Sequence, residues 1–398
     1  MRSPRPCSLL AGIISLLGGN ACTPSTVPDD ATFRETDASV VADATMPDAP
    51  ADHDCGAPSD HPRLVVTADW LARSLTLLDL DRVIDPGCDA TDAILGTIDL
   101  SRYPPGPLEI EMAPDGRTAM VSVGPGFFEG AGAGLVGRPE VPPGGSLLIV
   151  DVIDRSVRAE IATTHVPMGI AIAPDGSVAY VAEYGTNADP GTEIAIVDLR
   201  TDTLIDELAV GPRPEQIVLS ADGSLGAVTV DDGTRVFRTD DVRGSLAPTL
   251  ATGRDPSGVV FVPGTHRLVV TNSMATSISI VDVSDPSHPI VVSSPTARGV
   301  PYPATWIPGT TEVLVASSFR EGLFRFDVTT PDAPPTYLAL SHGAFVLEAE
   351  VTSDGAHAIV AHPIERALVS VDLATGEEHA LSWLDATGPT YVALQPAR

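Results

Sequence analysis

The sequence predicts an all-β chain folded as a seven-bladed β-propeller of four-stranded antiparallel blades. Three observations predict it. The phrase "GIAIAPDGSVAYVAEYG" at 169–185 returns along the chain at near-constant spacing, and the two ends carry complementary fragments of one repeat. The composition also fits: 35 Gly and 37 Pro among 398 residues disfavour long helices, while 43% hydrophobic residues can fill a large core.

The repeats start at Pro107, Pro167, Pro214, Pro256, Pro301, Val346 and Pro389, at intervals of 60, 47, 42, 45, 45 and 43 residues. Each opens with an alternating strand, such as "LEIEMA", "MGIAIA" or "LEAEVT". Six of these strands end in a turn of the form PDG, ADG, SDG or PG, in which Asp, where present, accepts a local hydrogen bond and Gly supplies the left-handed conformation. A second strand follows, as in "TAMVSV", "VAYVAE" or "HAIVAH". The third ends in Asp79, Asp151, Asp198, Asp282, Asp327 or Asp372. Repetition in nearly every blade argues against catalysis at these aspartates and for hairpin capping by side chain to backbone. The 214–255 repeat departs from the pattern, and Asp240 or Asp241 fills its column.

The last unit holds only a first strand (389–396), and the first unit, beginning with "RLVVTA" at 63–68, holds only the later three. Joined, they complete a seventh blade. Closure removes edges that would otherwise pair with other chains.

The stretches "PMGIAIAPDGSVAYVAEYG" and "EIAIVDLRTDTLIDELAVG" within 167–211 resemble the YVTN repeat of bacterial seven-bladed propellers, a group that includes YncE-like and lactonase-type proteins. The resemblance implies a propeller over 62–398. For activity it implies little, because this fold carries binding proteins, surface-layer proteins, lactonases and cofactor-bearing dehydrogenases.

The N-terminus reads as an export signal, residues 1–21: Arg2 and Arg5 precede a short apolar run from Leu9 to Leu17, then small residues. Ala21-Cys22 resembles a lipobox, with Gly19 where that motif prefers Leu, so Cys22 is a lipidation candidate. Ordinary signal cleavage and an incidental cysteine are the alternatives. Residues 22–61 are acidic, aperiodic and unable to bury apolar surface, hence a tether. His53 and Asp54 within it read as solvated rather than metal-binding. Cys55 and Cys88 remain as an even pair, suited to a disulfide in an oxidising compartment, with two free buried thiols as the alternative. These features predict an exported chain of the cell envelope or extracellular space.

The formal net charge is −30, and all 23 basic residues are Arg. Such a balance repels phosphate backbones and anionic lipid, which excludes nucleic acid as a partner and limits membrane contact to the anchor. Nothing in the sequence calls for an oligomer, and a monomer is expected.

Chain direction places blade-to-blade connections and the loops between second and third strands on one face, here the upper face. The connections carry His165, Arg213, Arg254 with Asp255, Arg298 and His342. Arginines in corresponding connections could meet an acidic or carbonyl-bearing ligand. The third position of the first strands holds Glu109, Gln216, Glu348 and Tyr391, with Glu111 and Glu350 two residues deeper. Paired carboxylates there could hold a cation or act as acid and base; solvated side chains at a wet channel mouth are the plainer expectation.

Two upper-face loops are long. Residues 124–145 carry Phe127 and Phe128 and could form a lid or docking loop, and 184–193 lies in the neighbouring blade. Gly132, Gly134 and Gly137 match GxGxxG, but the following "RPEVPPGG" cannot supply the helix a dinucleotide needs. Asn187, Asp189 and Glu193 offer oxygen ligands suited to Ca²⁺, yet their spacing fits a polar turn better. Trp70, Trp306 and Trp383 fall in or beside strand patterns, where packing explains them. No metal or cofactor set is therefore assigned, with Ca²⁺ the one ion considered. The expected function is an exported, lipid-anchored binding or scaffold module, with a protein, polysaccharide or small ligand on the upper face. The alternative is a lactonase-like hydrolase using Glu109, Glu348 and His342.

Overall fold

In a computed structural model, the described residues are 55–397, apart from 58, 127–143, 232, 298, 319–321, 342–345 and 383–387. Cys22, the signal, most of the tether, Arg298, His342, Trp383 and the Phe127–Phe128 pair lie outside them.

The described strands form seven antiparallel sheets, each built from one repeat. Six have four strands, among them Pro107–Met112, Thr118–Val123, Ser146–Asp151 and Ser156–Ile161. The divergent repeat has three: Ile217–Leu219, Leu225–Val230 and Gly233–Arg238. There a short helix, Val242–Ser245, and a single bridge between Thr234 and Leu250 occupy the place of the fourth strand.

The middle strands are buried on both faces, as neighbours on either side require; Leu64–Asp69 and Thr118–Val123 are buried at every position. Fourth strands alternate, as in Ser156–Ile161, because only one face meets protein. The core is correspondingly divided into seven apolar clusters, each shared by two adjacent blades. One of them joins the seventh repeat to the first, setting Ile359, Ala361 and Leu368 against Val65, Leu78 and Val392.

The ring closes between Pro389–Leu394 and Leu64–Asp69, with Val65 opposite Leu394 and Thr67 opposite Val392. Gln395 N donates to Leu64 O at 2.8 Å, and Thr390 Oγ1 donates to Ala68 O at 2.8 Å. Near the axis, first strands approach so closely that glycine is required. A Cβ at Gly169 would lie 2.5 Å from Glu215 O, and one at Gly258 would lie 2.2 Å from Tyr302 O.

The turn chemistry follows the repeat. Asp115 accepts from Arg117 N and Thr118 N, each at 2.8 Å, and Gly116 has φ 65°. Capping by the third-strand aspartates is equally regular: Asp151 accepts from Asp154 N, Asp198 from Arg200 N and Asp372 from Ala374 N, all at 2.8 Å. In the divergent repeat Asp241 takes this role, accepting from Gly244 N at 3.0 Å, while Asp240 pairs with Arg238. Trp70 is fully buried, its indole donating to Gly124 O at 3.0 Å. Cys55 and Cys88 form a disulfide, which settles the choice between a bridge and free thiols.

Two outcomes are expected. Removing residues 389–398 opens the first blade and should turn a cooperative thermal transition into aggregation, followed by scattering and circular dichroism. Replacing both Cys55 and Cys88 by Ala should cost about 3 kcal/mol in urea denaturation, the scale set by the loop that the bridge closes.

Candidate functional site: an acidic axial cavity

First strands of the blades surround a cavity of 350 Å³. Glu109, Glu111, Gln216, Tyr302, Glu348 and Glu350 line it, and the lining continues to Pro174, Ser220 and Ala221 at the turns of the opposite face. Among the described residues, no arginine or histidine lines it. The strand alternation that sends Ile110 and Ala349 into blade-to-blade packing sends Glu109, Glu111, Glu348 and Glu350 toward the axis.

Glu109 is held on both oxygens. Ile170 N donates to Oε1 at 2.9 Å, and Gln216 Nε2 donates to Oε2 at 2.7 Å. Glu215, buried outside the lining, accepts from the Tyr302 hydroxyl at 2.9 Å, and Tyr302 Oη lies 3.4 Å from Tyr391 Oη. Tyr391 is thereby buried behind the lining rather than offered to a ligand.

Enclosure dominates the electrostatics. Burial pushes the Glu109 carboxyl up to about 8 despite its two hydrogen bonds, and Glu350 up to about 7. Burial first, then the neighbouring Glu350 carboxylate, raises Glu111 and Glu348 well above the usual carboxylate range. Burial and Asp255 do the same for Glu215. The site is a set of acids that cannot all ionise without a positive partner.

The described upper-face basic residues, His165, Arg213 and Arg254, do not line this cavity. Arg213 lies over the Tyr184 ring at 5.7 Å and donates to Tyr184 Oη at 3.3 Å and Asn187 Oδ1 at 3.4 Å, with Asp231 Oδ2 at 3.7 Å from Nε. Arg254 is exposed. His165 leaves the axis altogether and joins Glu183 and Glu193 at the rim. That encounter of a blade connection with a loop between second and third strands is what the chain-direction argument requires. Asp189 forms the polar turn its spacing suggests: its carbonyl accepts from Thr186 N at 2.9 Å and its N donates to Thr186 Oγ1 at 3.0 Å.

Three features escape a sequence reading. Glu215 and Tyr302 precede or enter first strands at positions without a repeated column. Glu183 had one signal, a charge ending the otherwise apolar "VAYVAE". Arg213 and Asp255, each before Pro, have φ of 49° and 55°, a left-handed backbone that costs non-glycine residues about 1–2 kcal/mol.

A pH dependence follows. Carboxyls raised in the folded state bind protons that the unfolded chain has already released, so their contribution is fully present below about 4.3. It is lost as pH rises through 7 and 8, where Glu350 and Glu109 titrate. Melting temperature should therefore fall from pH 5 to pH 8, each group contributing at most about 1.4 kcal/mol per pH unit. Glu109→Gln should flatten the profile measured by differential scanning fluorimetry.

No protein-family model matches the chain, and no curated protein matches it. Solved structures do. A functionally unknown protein from Desulfotomaculum acetoxidans DSM 771 is similar at TM-score 0.63 and 13% identity, over 84% of this chain and 99% of that one. Kuenenia stuttgartiensis hydrazine synthase is similar at TM-score 0.52 and 17% identity, over 68% of this chain and 77% of that one. At these identities the likeness is one of fold: this chain is a seven-bladed β-propeller.

Proposed function

We propose that this chain is an exported, lipid-anchored binding propeller of the cell envelope, related to the YVTN-repeat group, whose axial cavity takes a compact cationic ligand. The observation that carries the reading is the gathering of Glu109, Glu111, Glu348 and Glu350 around 350 Å³ with no basic side chain among the described lining residues. A cation entering the cavity favours the ionised form of carboxyls that the enclosed site otherwise keeps protonated, and low dielectric strengthens each contact. The volume suits a hydrated divalent ion or a small organic amine. The signal-like residues 1–21 and Cys22 support export and anchoring, and the acidic 22–61 segment supports a spacer between anchor and ring.

A lactonase-like hydrolase is the second reading. One observation favours it: Glu350 and Glu109 titrate near 7 and 8, the range where one carboxyl donates and another accepts a proton. Its third candidate, His342, lies outside the described residues.

Calorimetric titration at pH 8 with Ca²⁺, Mg²⁺ and spermidine, beside neutral sugars and a lactone panel, tests both. Saturable cation binding that weakens about tenfold or more in Glu348→Gln and Glu350→Gln is the expected result. Equal, weak heats in wild type and variants would overturn it, and lactone turnover lost in Glu109→Gln would favour the hydrolase. Labelled palmitate incorporated by the wild type and absent from Cys22→Ala checks the anchor.

A further inference from the structure

The upper rim of the third repeat brings together a second set of donors, none of which lines the axial cavity. His165 comes from the connection before strand Ile170–Ile172, Glu183 follows strand Val178–Ala182, and Glu193 opens strand Glu193–Asp198. One ligand atom from each lies within 4.8 Å of the other two. His165 Nδ1 is 3.0 Å from Glu193 Oε2 and 3.8 Å from Glu183 Oε2.

One carboxylate oxygen in this cluster, Glu183 Oε1, is buried with no hydrogen-bond donor. The Glu183 side chain is completely enclosed. Its other oxygen is fixed by His165 N at 2.7 Å, so the free oxygen is aimed rather than mobile. Glu193 is held by Thr192, whose Oγ1 and N donate to it at 2.6 and 3.0 Å. A buried carboxylate oxygen left without a donor is unfavourable unless a proton or a cation occupies the space beside it.

From this geometry we infer that His165, Glu183 and Glu193 form a binding site for a divalent transition-metal cation of the Zn²⁺ or Mn²⁺ type. One imidazole with two carboxylates suits such ions better than Ca²⁺, which prefers oxygen ligands alone. Binding through Nδ1 leaves Nε2 facing Asp189, whose Oδ1 is 3.9 Å away, the outer carboxylate that commonly orients a ligating histidine. The ion would bridge the blade connection at His165 to the 184–193 loop across its base.

Zn²⁺ titration of the full chain by calorimetry, with Co²⁺ absorption as the spectroscopic readout, tests the site. The expected result is one equivalent bound tightly in wild type, weakened about tenfold or more in His165→Ala and Glu193→Gln, with Co²⁺ bands that vanish in both. Glu350→Gln should leave this equivalent intact, which separates the rim site from the axial cavity. Identical Zn²⁺ titrations for wild type and His165→Ala, or several weak equivalents with octahedral Co²⁺ bands only, would overturn the inference. Glu183→Gln adds a third arm; should that buried variant misfold, the two more accessible positions still decide.

Discussion

Burial between blades is the constraint on which the molecule depends. No sheet here owns a core: each of the seven apolar clusters is assembled from two neighbours. A blade on its own would leave both faces wet, and an incomplete ring would expose two such faces at once. The hydrophobic term is therefore fully collected only when the circle is complete. The seam between Leu64–Asp69 and Pro389–Leu394 is what completes it. Pairing residues so distant in sequence carries a loop-closure cost, which the shared clusters on both sides of the first blade offset.

The same closure creates the chemistry. Alternation along first strands must send one set of side chains toward the axis, and in blades two and seven that set is glutamate. These two blades flank the closing blade, so the acids face one another because the ring is shut. Hydrogen bonds from Ile170 N and Gln216 to Glu109 tie the neighbouring blades three and four into the arrangement. Stability and electrostatic readiness oppose each other at this point, a common mark of functional sites.

Much of the fold was legible because it rests on local rules repeated many times. Asp115 with Gly116, and the capping by Asp151, Asp198 and Asp372, need only a few neighbouring residues to be understood. The axial glutamates were legible too, since period-two alternation fixes which residues share a side. The divergent fourth blade shows the limit: Asp241 keeps its column, yet nothing local announces that a single bridge at Leu250 replaces a strand. Partners across blades were not legible. Arg213 turning onto Tyr184, and His165 meeting Glu183 instead of the axis, depend on how neighbouring connections lie in space.

The bridge between Cys55 and Cys88 sets how tension enters the ring. It ties the chain, just ahead of strand Leu64–Asp69, to the segment between the third and fourth strands of the same blade, where Arg82 also donates to Gly56 O. A pull on whatever precedes Cys55 is thus carried by a covalent bond into the 80–93 segment. That entry point lies off the hydrogen-bonded seam between Leu64–Asp69 and Pro389–Leu394, so the covalent link meets such a pull before the strand pairing that closes the ring.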